Sequence, residues 1–175
     1  TKLITPEDKD ISMIVEQYVK KYLLPKDIVF ISEKVVAVTQ GRAYPQKSIK
    51  ASWLAGFLSK FVTKTPTGIG LGSPETMQLA IEEVGVFKIL LASLVGFLAK
   101  IFGIKGLFYI IAGHKARSID GAVPYAIPPY NTYVSKGPLD ADKVAENVMQ
   151  KLALPALSEA EGFRVEGVAI VDAND

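Results

Sequence analysis

Asp27-Ile28-Val29-Phe30-Ile31-Ser32-Glu33-Lys34-Val35-Val36, closed a few residues later by Gln40-Gly41-Arg42, is the stretch on which the fold turns. Its first half, Asp27 to Ser32, is a short β-branched run of strand type, and a second such run, Val35-Val36-Ala37-Val38, leads to a turn at Gly41. Ahead of it, Ile11, Ile14, Val15, Tyr18, Val19 and Tyr22 recur at spacings of three and four. That periodicity predicts one core-facing helix near 7–22, entered through Thr5-Pro6-Glu7 and closed by Leu23-Leu24-Pro25. Beyond it, Trp53, Leu54, Phe57, Leu58, Phe61 and Val62 predict a helix over 51–62. Ser73-Pro74-Glu75 opens another over 74–84, and Val144, Val148 and Leu152 mark one over 139–152. Gly167-Val168-Ala169-Ile170-Val171-Asp172 reads as a closing buried strand, 167–172, whose end carries a carboxylate. Helices alternating with strands in this way predict an α+β fold, a mixed β-sheet with flanking helices, in one domain spanning 1–175.

The composition bounds what such a fold does. With 175 residues, 49% hydrophobic and 22% charged, the chain is globular rather than disordered. A formal charge of +2 with no strong local basic cluster argues against a nucleic-acid partner. The absence of cysteine excludes disulfides, a thiolate nucleophile and thiolate-held zinc or iron–sulfur sites, and the lone His114 excludes a multi-histidine metal cage. From Val84 to Ile111 the chain is mostly apolar, with only Lys88, Lys100 and Lys105 as charges. Its longest uncharged stretch, Ile89 to Ala99, is far short of the ~20 residues a spanning helix needs, so no membrane span is expected. Membrane-surface helices usually carry a distinctly basic polar face, so the segment is expected to face the core or a partner. Gly85, Gly96, Gly103 and Gly106 predict that it divides into a strand, a short helix and a turn. The opening Thr1-Lys2-Leu3-Ile4-Thr5-Pro6 shows no secretory pattern, which makes a cytoplasmic location the expectation.

Four places combine residues suited to chemistry. In Gly68-Ile69-Gly70-Leu71-Gly72-Ser73-Pro74-Glu75 a glycine-alternating loop runs into a helix, so Gly70, Gly72 and Ser73 are candidates for cradling a phosphate or other anion; an ordinary capped loop has the same pattern. In Gly113-His114-Lys115-Ala116-Arg117-Ser118-Ile119-Asp120-Gly121 the alternation of Lys115 and Arg117 would set both on one strand face, where they could neutralise a phosphate, with Asp120 available to a metal. The bland alternative is a solvated strand ending in an Asp-Gly turn, with His114 structural. Tyr125, Tyr130 and Tyr133, set in the proline-rich run 124–133, offer flat faces for a planar ring or simply pack on the core. Asp172-Ala173-Asn174-Asp175 brings carboxylates to a strand end, where hard cations are held.

Taken in order, Asp27 to Val36 with Gln40-Gly41-Arg42, then Ala112-Gly113, Ile127-Pro128-Pro129 and Val168-Ala169-Ile170-Val171-Asp172-Ala173-Asn174, the chain resembles the coenzyme F-420 gamma-glutamyl ligase family. The corresponding family pattern is a Gly-Asp strand, Ser-Lys-hydrophobic pairs, Glu-Gly-Arg, and a strand ending in Asp-Thr-Asn-Gly. The resemblance implies a GTP-dependent amide ligase. A carboxylate on a deazaflavin precursor would be activated as an acyl phosphate and captured by the amino group of L-glutamate, with Mg²⁺ or Mn²⁺ present and a homodimer as the assembly. It places Lys34, Gly41, Arg42 and Asn174 near the nucleotide and makes Asp172 a metal ligand, while Asp120 is inferred as a second carboxylate. No catalytic residue is singled out.

The chain also departs from that pattern. The family's second lysine is Val38 here, its glutamate before the glycine is Gln40, and its Gly-Arg after Asp-Thr-Asn has no counterpart before the sequence ends at Asp175. A short single-domain relative or a truncated member would each look this way. The stretch 154–167 reads as an insertion. The competing expectation is a non-catalytic nucleotide- or ligand-binding or assembly module that keeps the ligase fold.

Overall fold

The computed structural model describes residues 2–62, 70–153 and 165–172. They sort into two compact units, the first drawn from Thr1–Arg42 and Pro138–Ala173, the second chiefly from Ala43–Gly137. Each has its own apolar core.

The first unit holds α1 (Ile11–Tyr18), β1 (Ile28–Ser32), α2 (Glu33–Thr39), α8 (Ala141–Ala153) and β4 (Gly167–Val171). Helix α1 starts at Ile11 because the Asp10 carboxylate accepts from both the Ser12 N–H (2.9 Å) and the Ser12 hydroxyl (2.6 Å), capping the first turn. Upstream, Thr5 and Asp8 close a competing turn, the Thr5 N–H donating to the Asp8 carboxylate at 2.9 Å and the Asp8 N–H to the Thr5 carbonyl at 3.0 Å. The predicted helix over 7–22 is therefore shortened, and its tail becomes a 3₁₀ turn at Lys20–Tyr22. Strands β1 and β4 pair in parallel, Ile28 opposite Gly167 through Ser32 opposite Val171. Ile11, Val15, Val29, Ile31, Val36, Val148 and Leu152 interlock as the core between these strands and helices. The second β-branched run is not extended: Glu33 to Thr39 form α2, and burial of Val36, Ala37 and Val38 decides its conformation over valine's preference for strands.

The second unit contains β2 (Ala43–Pro45), α3 (Trp53–Ser59), α4 (Pro74–Val84), α5 (Val86–Ile101), α6 (Leu107–Ala112), α7 (His114–Arg117) and β3 (Tyr133–Ser135). Strands β2 and β3 are antiparallel, with Tyr44 opposite Val134. Helix α4 has the predicted bounds, since Pro74 supplies a preset φ inside a reciprocal Ser73–Thr76 capping box and Gly85, at φ +89°, ends it. The chain then turns by 118° into α5. That 16-residue helix corrects the expected strand between 84 and 111: Gly96 lies inside it, and the breaks fall at Gly103 and Gly106, both at positive φ. Gly96 is glycine because a Cβ there would stand 2.9 Å from the Cβ of Phe108 on the packed α6. Ala55, Leu71, Met77, Ala80, Ile89, Ala92 and Val134 form the core of this unit.

The α+β class is as expected. Among the described residues the strands form two separate two-stranded sheets, one parallel and one antiparallel, in place of one mixed sheet. The helix predicted over 51–62 runs only from Trp53 to Ser59, capped by the Ser52 hydroxyl, and the helix predicted over 139–152 runs from Ala141 to Ala153.

Candidate functional site

The parallel register of β1 and β4 does more than close a core. Because Ser32 stands opposite Val171, the residues that follow each strand, Glu33-Lys34 and Asp172, leave the pair at the same carboxyl end. That end of parallel strands is the usual place for a ligand in α/β-type sheets. Lys34 lies in the first turn of α2 and is half-buried, and Asp172 is exposed. Gly41 and Arg42 close the same helix. The Gly41 N–H donates to the Val38 carbonyl (3.0 Å) and the Arg42 N–H to the Ala37 carbonyl (2.8 Å), with Gly41 at φ +68°, which is a Schellman cap. The Gly-Arg pair thus has a fold-level reason to exist: the glycine is needed for its left-handed backbone, since a Cβ there would meet nothing within 4 Å.

Gln40 is tied down as well. Its side-chain amide donates to the Leu139 carbonyl at 2.9 Å, and its carbonyl oxygen accepts from the Leu139 N–H at 2.7 Å. This two-way bond joins the end of α2 to the segment entering α8. Sequence reasoning saw here only a lost charge, and no local signal could have linked positions 99 residues apart. Val38, at the place of the family's second lysine, is 3% exposed and part of the packed interior.

The second unit holds the other candidates. Gly70 sits at φ +52° beneath the Tyr109 hydroxyl, which would lie 2.8 Å from a Cβ at that position and which accepts from the Leu71 N–H at 3.5 Å. Gly72 is buried. The Ser73 hydroxyl accepts from the Thr76 N–H (3.2 Å), and the Ser73 N–H donates to the Thr76 hydroxyl (3.3 Å), so the serine's groups serve the helix cap. Glu75, in the same first turn, has a carboxylate oxygen enclosed by protein with no hydrogen-bond partner. Lys115 and Arg117 do not share a strand face: both are exposed on the short helix α7, where residues two apart point to different sides. His114 is held by Ser118, whose hydroxyl donates to the His114 carbonyl at 2.8 Å and lies 3.1 Å from its Nδ1. Asp120 forms an isolated backbone bridge with Ser135 of β3, exchanging both N–H···O bonds (2.9 and 3.0 Å), where the bland reading had an Asp-Gly turn. Tyr130 and Tyr133 meet edge to face, and Tyr125 is exposed. Asn174 lies outside the described residues, as do Gly68 and Ile69.

Among the described residues no three His, Asp or Glu side chains gather as a metal-holding group. A hard divalent ion of the magnesium type needs no such cage, being held commonly by one or two carboxylates plus substrate phosphates. Asp172, an exposed oxygen donor at the shared strand end, fits that mode.

A family model for F420-0:gamma-glutamyl ligase matches residues 1–161. The chain belongs to that family. The match takes in the β1–α2 stretch, Gly41-Arg42 and every candidate of the second unit, so the F420-0:gamma-glutamyl ligase family accounts for the order of motifs from Asp27 to Pro129. It ends before β4, so the likeness of Val168–Asn174 to the ligase's closing strand rests on those residues and on the β1–β4 pairing alone. No curated protein and no solved structure matches the chain.

Proposed function

We propose that this member of the gamma-glutamyl ligase family is a GTP- and metal-dependent amide ligase that joins L-glutamate to a carboxylate of a deazaflavin cofactor precursor. The single observation that carries the reading is the β1–β4 register, which brings Asp172 to the same end of a parallel pair as Lys34 in the family-matched β1–α2 stretch. Such a ligation needs a carboxylate oxygen to attack the terminal phosphate, with the nucleoside diphosphate leaving. The amine then attacks the resulting carbonyl carbon and inorganic phosphate departs, so one amide forms at the expense of one phosphoanhydride. Lys34 and Arg42 are assigned to neutralising phosphate charge, the guanidinium offering a two-pronged donor. A divalent ion seated at Asp172 would supply further neutralisation of the phosphates. Lys115 and Arg117 stay as anion-binding candidates of the second unit, and Asp120 as its carboxylate; Gly70, Gly72 and Ser73 are left to the fold, given the Tyr109 contact and the completed cap. A homodimer belongs to the same proposal and is tested by sedimentation.

Calorimetric titration of GTP, GDP and ATP, with and without Mn²⁺, tests the reading on wild type, Asp172→Ala and Arg42→Ala. The expected result is metal-dependent guanine-nucleotide binding that both substitutions abolish. No binding at millimolar nucleotide, or affinity untouched by either substitution, rejects it.

A second reading, a non-catalytic binding or assembly module, is favoured by one observation: Val38 is a core side chain where a lysine would stand, so the cationic set is reduced by the packing itself. Glutamate ligation or metal-dependent GTP hydrolysis by the chain would eliminate it.

A further inference from the structure

Helix α5 is apolar on both sides. Ile89, Ala92 and Ala99 are buried in the second unit, while Phe87 is 85% exposed, Ile101 66%, Leu94 58% and Leu91 55%. At about 100° per residue these exposed side chains centre opposite the buried ones, and Lys88 and Lys100 stand on the two flanks, each roughly 120° from that centre. The apolar surface continues past the helix end through Phe102 (80% exposed) and Ile104 (55%) to Ile110 (73%) on α6. With Leu90 (40%), Phe97 (57%) and Leu98 (47%) added on the same side, and ~200 Å² for a fully exposed large apolar side chain, the α5 stripe alone presents about 800 Å², more than the largest apolar patch a typical monomer leaves in water.

Along the hairpin's own stretch of sequence the charge has one sign, and the two acids just ahead of it on α4, Glu82 and Glu83, are paired with Lys136. From Val84 to Ile119 the chain has Lys88, Lys100, Lys105, Lys115 and Arg117 and no acid, and all five are exposed. Across Ala43–Gly137 there are ten Lys or Arg against four Asp or Glu, so the near-neutral whole conceals a strongly basic second unit. A second copy would set this basic face against itself; an acidic surface complements it.

We propose that the α5–α6 hairpin docks in the plane of an anionic lipid bilayer, its Phe and Leu stripe in the acyl boundary and its lysines at the headgroups. Helix α5 differs from a free interfacial helix in that its far side is buried in the unit, not basic; the cations come instead from its flanks and from Lys105, and long lysine stems reach headgroup level from such flanks. It lies on the bilayer rather than through it. Among the described residues no single helix is long and apolar enough to cross, and sixteen residues span about 24 Å against a hydrocarbon core of roughly 30 Å. This surface is independent of the ligase reading.

The test is cosedimentation of the full chain with vesicles of pure phosphatidylcholine and of phosphatidylcholine containing about one third phosphatidylglycerol, at ~0.1 M salt, where the screening length is ~10 Å. Pelleting with the anionic vesicles alone is expected. Phe87→Ser with Ile101→Ser, and separately Lys100→Glu with Lys105→Glu, should each weaken partitioning about tenfold or more; all four side chains are exposed, so circular dichroism should be unchanged. Failure of the wild type to pellet, or equal pelleting with neutral vesicles, overturns the proposal. So does a dimer in sedimentation velocity that the Phe87/Ile101 pair dissociates while no vesicle is bound, which assigns the face to a second copy.

Discussion

Replacing Gln40 by Glu exchanges one atom and inverts one interaction. In the native chain the amide donates to the Leu139 carbonyl at 2.9 Å and accepts from the Leu139 N–H at 2.7 Å. A carboxylate keeps the second bond but sets an anionic oxygen against the carbonyl oxygen in place of the first. An unsatisfied polar group costs ~1–3 kcal/mol. Gln40 is only half-buried, so water offsets part of this, and about 1–2 kcal/mol is expected for the first unit. The sole tryptophan, Trp53, lies in the second unit, so its fluorescence reports on other residues. Native-state hydrogen exchange of the β1, α2 and α8 amides is the better assay. At pH 7 the slow amides of these elements should exchange roughly 5–30-fold faster in Gln40→Glu. As the pH falls toward the ordinary glutamate range the acid regains a proton to donate, and the difference from wild type should shrink. Gln40→Ala should show a loss without that recovery. Wild-type exchange in Gln40→Glu at pH 7 would refute the two-way bond.

Gly41→Ala should cost ~1–2 kcal/mol through its left-handed backbone alone, read as a lower melting temperature with core packing intact, because a Cβ there touches nothing. Gly96→Ala should cost ~1–3 kcal/mol by forcing α5 from α6, since the Cβ would meet Phe108 Cβ at 2.9 Å and its backbone at 3.2 and 3.3 Å; a raised melting temperature would show that helix propensity outweighs that contact. Asp8→Asn should flatten the acid limb of the stability–pH curve. Hydrogen bonds from the Lys2 ammonium and then from the Thr5 N–H hold the Asp8 carboxyl below its ordinary value. Its contribution is therefore present above the unfolded carboxylate pKa and is lost as pH falls through the lowered folded one. Urea titrations between pH 2 and 7 for both proteins check this, an unchanged acid slope being the contrary result.

Much of this molecule was legible because its signals are local. Ser73, Pro74 and Gly85 fix both ends of α4 by side-chain capping, preset φ and a positive φ, and all three effects act within a few residues. The strand at 167–171 announced itself by an unbroken β-type run. Where the outcome depended on distant partners, local pattern misled. Val35 to Val38 look extended and are helical because three of them, Val36, Ala37 and Val38, are buried at once. Gly96 looked like a break and is a contact surface for Phe108. The alternation of Lys115 and Arg117 suggested a strand face, yet Gly113 at φ +86° starts a short helix there. At the candidate site, the motif residues were readable one by one, whereas the coincidence of Lys34 and Asp172 at one strand end is a property of a parallel pairing across well over a hundred positions.

The same geometry changes what the departures from the family pattern mean. Read as a loss of charge, Gln40 weakens the case for a nucleotide site. In the folded chain, however, a glutamine at this point does what a glutamate could not, donating and accepting across one peptide of the segment before α8. Gly41 likewise is required by the helix cap whether or not a phosphate approaches. Two of the three residues in Gln40-Gly41-Arg42 are thus explained by the fold, and their presence carries little weight for or against catalysis. The discriminating positions are those whose charge the cap and clamp do not require, namely the Lys34 ammonium, the Arg42 guanidinium and the Asp172 carboxylate. If Arg42→Ala and Asp172→Ala leave the exchange rates of α2 and α8 at wild-type values and abolish nucleotide binding, the motif combines a structural half with a chemical half. If exchange quickens and nucleotide binds as before, the whole stretch serves the fold.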